Sequence, residues 1–475
     1  MSTIKKNSIL NVLYTLVNIL FPIAASVYAG RVLMATRVGT VTYAQNYASY
    51  FIMIASSGMD IYGIREISKI NKGDCDSKKG EVAKVFNELF SINFFLTLFA
   101  LLCYGIINIF RGNAIDPIYL VFGLQILFNF FNVDWFYQGI EDYKYIVKRG
   151  VIVKTLVLIM IFLTVKSEKD YVIYAMWIAL VGVLNYICNL WNLMKQIKIR
   201  IVVVGLRKHY MPLLMLAVST WLSLFYSKLD ISMLGAMKGD TAVGLYSTAH
   251  RVIFMIVTVS TAVSNVFFPK MNVLYKENYD KFCKLITAGI KYISAIVFPM
   301  IILCIYYAGE MIVFLWGESF KGTEYILLFL IPIAFFQSFG NLLCYQLMIC
   351  IGKEKERIPA YAIACILNVI LNILLIPKFG AIGAAIASSF SEMSVNLVQF
   401  IYVRKIINIR VAPKSVLGIS TSIFLTFIMT AFVHHIVTNF ILGMIFSVAG
   451  IAIIQGIYTI FADNSNIKDK ILENI

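Results

Sequence analysis

The sequence has few charged residues for its length. Only 14% of its 475 residues are Asp, Glu, Lys or Arg, whereas 60% are hydrophobic. A soluble protein carries about a quarter charged residues, most of them on its surface. The deficit is explained if lipid solvates most of the outside of the molecule. A chain built from soluble domains is therefore excluded.

Patterns of cysteine and histidine that bind metals are also missing. The eight cysteines form no CxxC motif, and most lie within apolar runs, where a thiol behaves as a small hydrophobic group. The four histidines have no Glu or Cys partner at the spacing of a metal site. The sequence therefore predicts neither a metal centre nor a cofactor.

What the sequence does contain is a series of apolar stretches, most of them twenty residues or longer. About twenty apolar residues cross a bilayer as one helix, so we predict an all-α membrane protein of about fourteen transmembrane helices. These stretches cover residues 9–29, 41–61, 85–109, 117–137, 145–165, 171–191, 211–237, 241–268, 285–307, 325–350, 358–376, 382–403, 415–433 and 440–461. No segment between them is long enough for a catalytic domain, so function must lie among the helices.

The net charge of +16 comes from Lys and Arg residues between the apolar runs. Their spread favours a membrane orientation signal over a nucleic-acid-binding surface. With a cytoplasmic amino terminus, cytoplasmic segments collect roughly 29 basic residues and outer loops roughly eight. The even number of helices returns the carboxyl terminus, with Lys468 and Lys470, to the cytoplasm. We therefore predict no nucleic-acid partner and two cytoplasmic termini.

A basic segment after the sixth helix divides the first twelve helices into two halves. A Val-Gly pair followed five residues later by Ala occurs in both halves, at Gly39 in the second helix and at Gly244 in the eighth. Parallel repeats of this kind are common in transporters. The predicted parts are an N-lobe (1–195, helices 1–6), a basic cytoplasmic connection (196–210), a C-lobe (211–405, helices 7–12) and a final part with helices 13 and 14 and a short tail (406–475).

Four charged residues lie well inside predicted helices. Each costs about 2.5 to 3.5 kcal/mol at a helix centre and so needs a reason. The seventh helix contains Lys228 and Asp230, which at a spacing of two point to different faces and cannot simply neutralise each other. Arg251 lies in the eighth helix and Glu392 near the middle of the twelfth. These residues either form an ion-pair network within the bundle or face a water-filled cavity.

Three further cations lie nearer to the helix ends. Lys154 and Lys291 are about two turns from the predicted cytoplasmic end, where they either extend to the interface or line a cavity. Arg31 lies just past the outer end of the first helix, as an interfacial anchor or a cavity residue. Because cations outnumber acids five to two, such a cavity favours an anion. The predicted site comprises Arg31, Lys154, Lys228, Arg251 and Lys291 for substrate binding, and Asp230 and Glu392 for coupling or gating.

Three groups of short motifs follow one another along the first twelve helices. The first comprises Phe21-Pro22, Ala29-Gly30-Arg31, Val38-Gly39, Tyr43-Ala44-Gln45, Tyr50-Phe51, Gly58, Gly63 and Arg65-Glu66-Ile67. The second comprises Asp230, Leu234-Gly235, Val243-Gly244-Leu245-Tyr246-Ser247, and Ala249 with Arg251. The third runs from Asn368 through Asn372, Pro377, Gly380 and Gly383 to Glu392. Together and in this order they resemble the polysaccharide-transport family of the multidrug/oligosaccharidyl-lipid/polysaccharide exporter superfamily.

The resemblance implies a flippase for an undecaprenyl-pyrophosphate-linked oligosaccharide in the bacterial cytoplasmic membrane. It implies two six-helix lobes in a V around a central cavity, plus two carboxyl-terminal helices. Its implied partners are the lipid-linked oligosaccharide, the bilayer and polysaccharide-assembly proteins. By matching position it assigns cavity roles to Arg31, Asp230, Arg251 and Glu392. The roles of the three lysines depend on the burial argument alone.

Other functions remain open at this point. A lipid II flippase or a cation-coupled multidrug or metabolite antiporter belongs to the same superfamily. The first helix lacks the acidic residue typical of many of those drug exporters, which argues against that branch. A membrane-embedded glycan polymerase or ligase is a more remote alternative, because such enzymes usually need a sizeable outer loop with catalytic Arg or His. We therefore predict a transporter and no enzymatic activity.

Overall fold

The computed structural model describes residues 2–72, 78–407 and 413–462, which are mostly helical and contain no strand. The chain divides into two compact units, Met1–Gly244 (unit 1) and Leu245–Ile475 (unit 2). Cys75 and the predicted cytoplasmic Lys468 and Lys470 lie outside the described residues.

Long helices make up most of both units. In unit 1 they are α1 (Ser2–Ser56), α2 (Met59–Lys72), α3 (Lys78–Phe110), α4 (Pro117–Phe128), α5 (Asp134–Gly139), α6 (Tyr143–Thr164), α7 (Tyr171–Met194), α8 (Arg207–Lys238) and the start of α9 (Asp240–Glu277). Unit 2 contains the rest of α9, then α10 (Tyr279–Trp316), α11 (Thr323–Gly340), α12 (Leu347–Cys350), α13 (Arg357–Phe379), α14 (Ala381–Ile406), α15 (Pro413–Ile436) and α16 (Phe440–Ala462). A π-helical segment, Asn341–Gln346, joins α11 to α12.

Ten helical stretches of the described residues are long and apolar enough to cross a membrane, or eleven if the two bent halves of α8 are counted as one. The predicted all-α membrane fold class is therefore confirmed. The cytoplasmic location of the termini and the lobe boundaries near residues 195 and 210 stay predictions.

The second predicted transmembrane stretch, residues 41–61, is wrong at its end, because α1 stops at Ser56. The chain turns at Gly58 with a φ of 75°, which favours glycine. A Cβ on Gly58 would lie 2.9 Å from Leu216 Cβ and 3.0 Å from Ala217 N. The break therefore gives α8 room to approach. Ser56, Ser57 and Asp60 flank the break, but hydropathy averaged over the about twenty residues of a membrane span does not resolve so short a polar stretch.

Aromatic residues of α2, α3 and α5 form a buried core at one end of unit 1. The ring of Trp135 stacks on Phe86 at 5.5 Å, and Phe136 meets Phe86 edge to face at 5.4 Å. Gly63 faces Trp135, and a Cβ there would overlap the indole ring. Trp135 Nε1 donates to the carbonyl oxygen of Asn132 at 3.1 Å, which satisfies its polar atom. This core holds α2 and α3 together beside the amino-terminal end of α8.

The two glycines of the internal repeat lie against each other in unit 1. A Cβ on Gly39 would overlap the carbonyl oxygen of Asp240 and lie 2.9 Å from Gly244 N. A Cβ on Gly244 would overlap the carbonyl oxygen of Ala35. Beside this contact, Thr40 Oγ1 donates to Asp240 Oδ2 at 2.6 Å. The repeat therefore marks a place within unit 1 where the backbones of α1 and the first residues of α9 are in direct contact.

Small residues also bring α13 and α14 together in unit 2. Gly383 has no room for a Cβ, which would overlap the carbonyl oxygen of Leu375. Ala384, Ala385 and Ala387 are fully buried. Helices in a membrane associate through close packing of this kind. Lipid is itself apolar, so moving an apolar side chain from lipid into a helix contact gains little free energy.

We expect Gly39→Ala and Gly244→Ala to destabilise the protein by about 1 to 3 kcal/mol each, because the added methyl group forces apart two backbones in contact. The matched control is Gly105→Ala in α3, where a Cβ would meet nothing within 4 Å. The measurement is the apparent Tm of purified protein in detergent. Equal Tm values for all three variants would contradict this account of the contact.

Candidate functional site

The structure places the seven predicted site residues on helices of both units. Unit 1 contains Arg31 on α1, Lys154 on α6, and Lys228 and Asp230 on α8; unit 2 contains Arg251 on α9, Lys291 on α10 and Glu392 on α14. Asp230 and Glu392 are buried, Arg31 is exposed, and the other four are half-buried. Helix α1 continues through Arg31 to a bend at Met34, so Arg31 does not follow the helix end as predicted. The binding and gating roles stay predictions.

The α8 segment around Lys228 is held against α1 by a short polar chain. Asn46 Nδ2 donates to the carbonyl oxygen of Lys228 at 3.2 Å and to Ser232 Oγ at 2.8 Å. The hydroxyl of Tyr50 lies 2.9 Å from the same Ser232 Oγ. These bonds fix the backbone at Lys228 without using its ammonium group.

The Lys228 ammonium has no hydrogen-bond or ion-pair partner among the described side chains of unit 1. Asp230 is two residues away on α8 and does not pair with it, as the helical spacing predicts. An unpaired cation at this depth is costly unless water or an anion reaches it. Lys228 is therefore the clearest candidate for an anion-binding residue in unit 1.

Unit 1 also contains a buried cation, Arg149, which sequence analysis missed. Its Nη1 donates to Asp134 Oδ1 at 3.0 Å and also bonds the side-chain oxygen of Asn189. Asn189 Nδ2 in turn donates to Asp134 Oδ1. The signal was present in the sequence, because Asp134 and Arg149 both fall inside predicted transmembrane stretches. This closed ion pair joins α5, α6 and α7 and has the properties of a structural element.

In unit 2, Glu392 is tied to a neighbour on its own helix. Asn396 Nδ2 donates to Glu392 Oε1 at 3.0 Å and to the backbone oxygen of Glu392 at 2.9 Å. The side chain of Asn396 rests on Gly340, where a Cβ would overlap its amide oxygen. The carboxylate of Glu392 is thus connected to the end of α11, one residue before the π-helical segment.

That π-helical segment forms a polar contact with α9. Asn341 Nδ2 donates to Thr261 Oγ1 at 2.9 Å, and Gln346 Nε2 donates to Asn265 Oδ1 at 3.1 Å. The partners are five residues apart on the segment and four apart on α9. The wider turn of a π-helix lets both pairs meet, and such bulges are frequent at functional sites. A hydropathy plot cannot predict this irregular turn.

Arg357, at the start of α13, is a further cation of unit 2 that the sequence analysis did not single out. Its guanidinium carbon lies 4.1 Å from the ring centroid of Tyr345 and 5.4 Å from that of Tyr361. Arg357 Nη2 also donates to the hydroxyl of Tyr361 at 3.0 Å. Stacking between two phenol rings fixes the plane of this side chain.

Metal ligands do not cluster in the described part of the chain, where no three His, Cys, Asp or Glu residues come together in a way that could hold an ion. The candidate site is therefore described by its cations and buried carboxylates. The prediction that no metal is used stays a prediction.

Comparison with known proteins defines the class. Residues 4–274 match the model of the family described as "Polysaccharide biosynthesis protein", and the chain belongs to this family. The relative named "Putative O-antigen transporter" from Shigella dysenteriae is 23% identical over 406 residues, 83% of this chain and 98% of the relative. "Capsular polysaccharide biosynthesis protein CapF" of Staphylococcus aureus is 25% identical over 170 residues, 35% of this chain and 42% of the relative.

Solved structures show the same fold. The lipid II flippase MurJ, in an inward closed conformation, matches with a TM-score of 0.73 at 14% identity, covering 95% of this chain and 98% of MurJ. An inward-facing multidrug resistance MATE family transporter of the MOP superfamily matches with a TM-score of 0.59 at 14% identity. The match covers 82% of this chain and 94% of that transporter. The predicted family resemblance is confirmed, as is the prediction of a membrane transporter rather than an enzyme.

We expect Asp134→Ala to destabilise unit 1 by about 3 kcal/mol, because it leaves the Arg149 guanidinium buried without its counterion. The double variant Asp134→Ala with Arg149→Leu should recover most of the apparent Tm. Glu168→Ala is the matched control, since its ion pair with Arg37 is exposed on both sides and contributes about 0 to 1 kcal/mol. If the single and double variants have the same apparent Tm, the Asp134–Arg149 ion pair is not what stabilises Arg149 in unit 1.

Proposed function

We propose that the chain is a flippase that moves an undecaprenyl-pyrophosphate-linked oligosaccharide from the cytoplasmic to the outer leaflet for cell-surface polysaccharide biosynthesis. The observation that carries the proposal is the Lys228 ammonium, half-buried in α8 and without a partner among the described side chains of unit 1. The family and the relative named for O-antigen transport support a lipid-linked glycan as the cargo.

The charge of the site suits a pyrophosphate headgroup. Lysine presents a compact charge with three donors, and arginine presents a planar fork that binds phosphate through two hydrogen bonds. Away from bulk water these interactions strengthen, because less solvent competes for the same atoms. We assign the substrate-binding role to Lys228 and Arg251 first, with Arg31, Lys154 and Lys291 as supporting cations.

The proposed transport step is alternating access, with Asp230 and Glu392 in coupling or gating. The contact that we propose to open in this step consists of Gly39 against Gly244 and the hydrogen bonds from Thr40 to Asp240 and between Thr36 and Thr241. In the predicted orientation this contact lies on the outer side of the membrane. Its separation would give the cargo an exit.

We place this multi-pass protein in the bacterial cytoplasmic membrane, where lipid-linked glycans of this class are assembled. Its proposed partners are the lipid-linked oligosaccharide, the surrounding lipid and polysaccharide-assembly proteins. The lipid II flippase and the cation-coupled antiporter are the alternative transporters of the same superfamily. They differ in cargo, so a cargo assay separates them.

We expect the wild-type protein to flip fluorescent undecaprenyl-pyrophosphate oligosaccharide in proteoliposomes. Lys228→Ala and Arg251→Ala should each slow flipping about tenfold or more, because each removes one charge-assisted contact to the headgroup. The measurement is the rate at which the inner pool becomes accessible to a membrane-impermeant reagent.

Two controls make the result specific. Lys228→Arg keeps the charge and should retain more activity than Lys228→Ala, whereas Lys169→Ala removes an exposed charge near the start of α7 and should have no effect. If wild type exposes no glycan under any ion gradient, the flippase proposal fails and transport of small cations becomes the test of the antiporter. If the wild type and Lys228→Ala are equally active, the proposed cargo is supported but the proposed binding role of Lys228 is wrong.

A further inference from the structure

The connection between α7 and α8, residues 195–206, is a non-helical segment held against α3 by hydrogen bonds. Asn87 Nδ2 donates to the carbonyl oxygen of Lys198 at 3.2 Å, and Asn87 Oδ1 accepts from Arg200 N at 2.9 Å. Ser91 Oγ accepts from Val202 N at 2.8 Å. Asn87 and Ser91 are four residues apart, so one face of α3 holds this connecting segment. It is not a free loop.

The end of the connecting segment is fixed by titratable groups around the buried carboxylate of Glu88. Glu88 Oε2 accepts from Lys208 Nζ at 2.8 Å and from His209 Nε2 at 3.0 Å. The hydroxyl of Tyr62 lies 2.8 Å from the other ring nitrogen of His209. Gly205 adopts a φ of 87° directly over Glu88, where a Cβ would lie 2.9 Å from Oε1. Both ends of the segment are thus set relative to the membrane helices of unit 1.

The surface that the connecting segment turns outward is apolar and basic. Ile201, Val203 and Val204 are 51%, 74% and 87% exposed, which is unusual for neighbouring aliphatic residues facing water. The exposed basic residues beside them are Lys195, Lys198, Arg200, Arg207 and Lys208, and residues 195–210 contain no acid. Such a combination is typical of segments that lie in the headgroup layer of an anionic membrane.

The flanking helices show the level at which the connecting segment lies. Before it, Trp191 and Met194 on α7 are exposed, and the Lys195 ammonium lies 5.2 Å from the Trp191 ring centroid. After it, Tyr210 and Met211 on α8 are exposed. Tryptophan and tyrosine concentrate where hydrocarbon meets headgroups. Exposed apolar surface therefore reaches both ends of the segment, which is the arrangement expected of a segment at that boundary.

We propose that the connecting segment is a binding surface for anionic phospholipid headgroups, with Val203 and Val204 inserted among the lipids and Lys198, Arg200 and Arg207 bound to the phosphates. The orientation predicted from the basic residues assigns it to the cytoplasmic leaflet. The charge complementarity favours lipid over a soluble protein as the occupant. The inference is independent of which cargo the protein carries.

The test places a fluorophore on the segment and measures its exposure to water. Val204→Cys in a cysteine-free background is labelled with an NBD maleimide and reconstituted into vesicles of phosphatidylcholine with or without phosphatidylglycerol. The reference is Glu277→Cys, exposed at the end of α9, a helix roughly 57 Å long that exceeds the bilayer core. We expect iodide to quench Val204→Cys about threefold less than Glu277→Cys when phosphatidylglycerol is present.

Charge variants then show whether the three basic residues are what binds the anionic lipid. Removing Lys198, Arg200 and Arg207 together (K198Q, R200Q, R207Q) should abolish the effect of phosphatidylglycerol on quenching. The matched set K276Q, K281Q and K284Q, which removes three exposed lysines around the turn between α9 and α10, should leave it intact.

Three outcomes would overturn the proposal. Iodide quenching at Val204→Cys equal to that at Glu277→Cys would put the segment in water, as for a protein-docking surface. Equal shielding in vesicles without phosphatidylglycerol would show that no anionic headgroup is needed. An unchanged phosphatidylglycerol effect in the triple variant would exclude the three basic residues. None of these measurements requires transport, so a result that overturns the lipid-binding proposal is distinct from a negative result in the flippase assay.

Discussion

The cost of a charge away from water is the constraint on which this structure depends. In the membrane core each charged side chain needs a counterion, water or a ligand. Arg149 meets the requirement internally, through Asp134 and Asn189. Lys228 does not, because no described side chain of unit 1 pairs with it. Arg149 is therefore part of a structural ion pair, whereas Lys228 is a candidate binding group.

Close backbone contact holds helices of unit 1 together in a way that apolar side chains alone could not. Gly39 and Gly244 bring α1 and the first residues of α9 together, and Asn46 with Ser232 joins α1 to α8 near Lys228. The candidate anion-binding residue is therefore carried on a helix fixed to α1 by small and polar groups. Contacts of this type hold by packing and hydrogen bonding, which lipid does not oppose.

The basic residues of the chain have more than one use. In the sequence they indicate orientation, because most fall between the helices on one predicted side. In the structure the same residues differ: Lys208 pairs with buried Glu88, Arg357 stacks between two tyrosines, and Arg200 is exposed beside apolar side chains. A positive charge near the membrane can thus fix a helix, stack on aromatics or face the headgroups.

The sequence by itself determined the helical membrane fold, most transmembrane stretches, the family and the charged residues inside helices, because hydropathy and charge are local properties. It also predicted that Lys228 and Asp230 would not pair, since their spacing sets their faces. Only the tertiary structure decided which charges are neutralised, because Glu88 meets His209 across 121 residues of chain. The π-helical turn near Asn341 was likewise not predicted, because its two polar contacts with α9 join residues 80 and 81 positions apart in the chain.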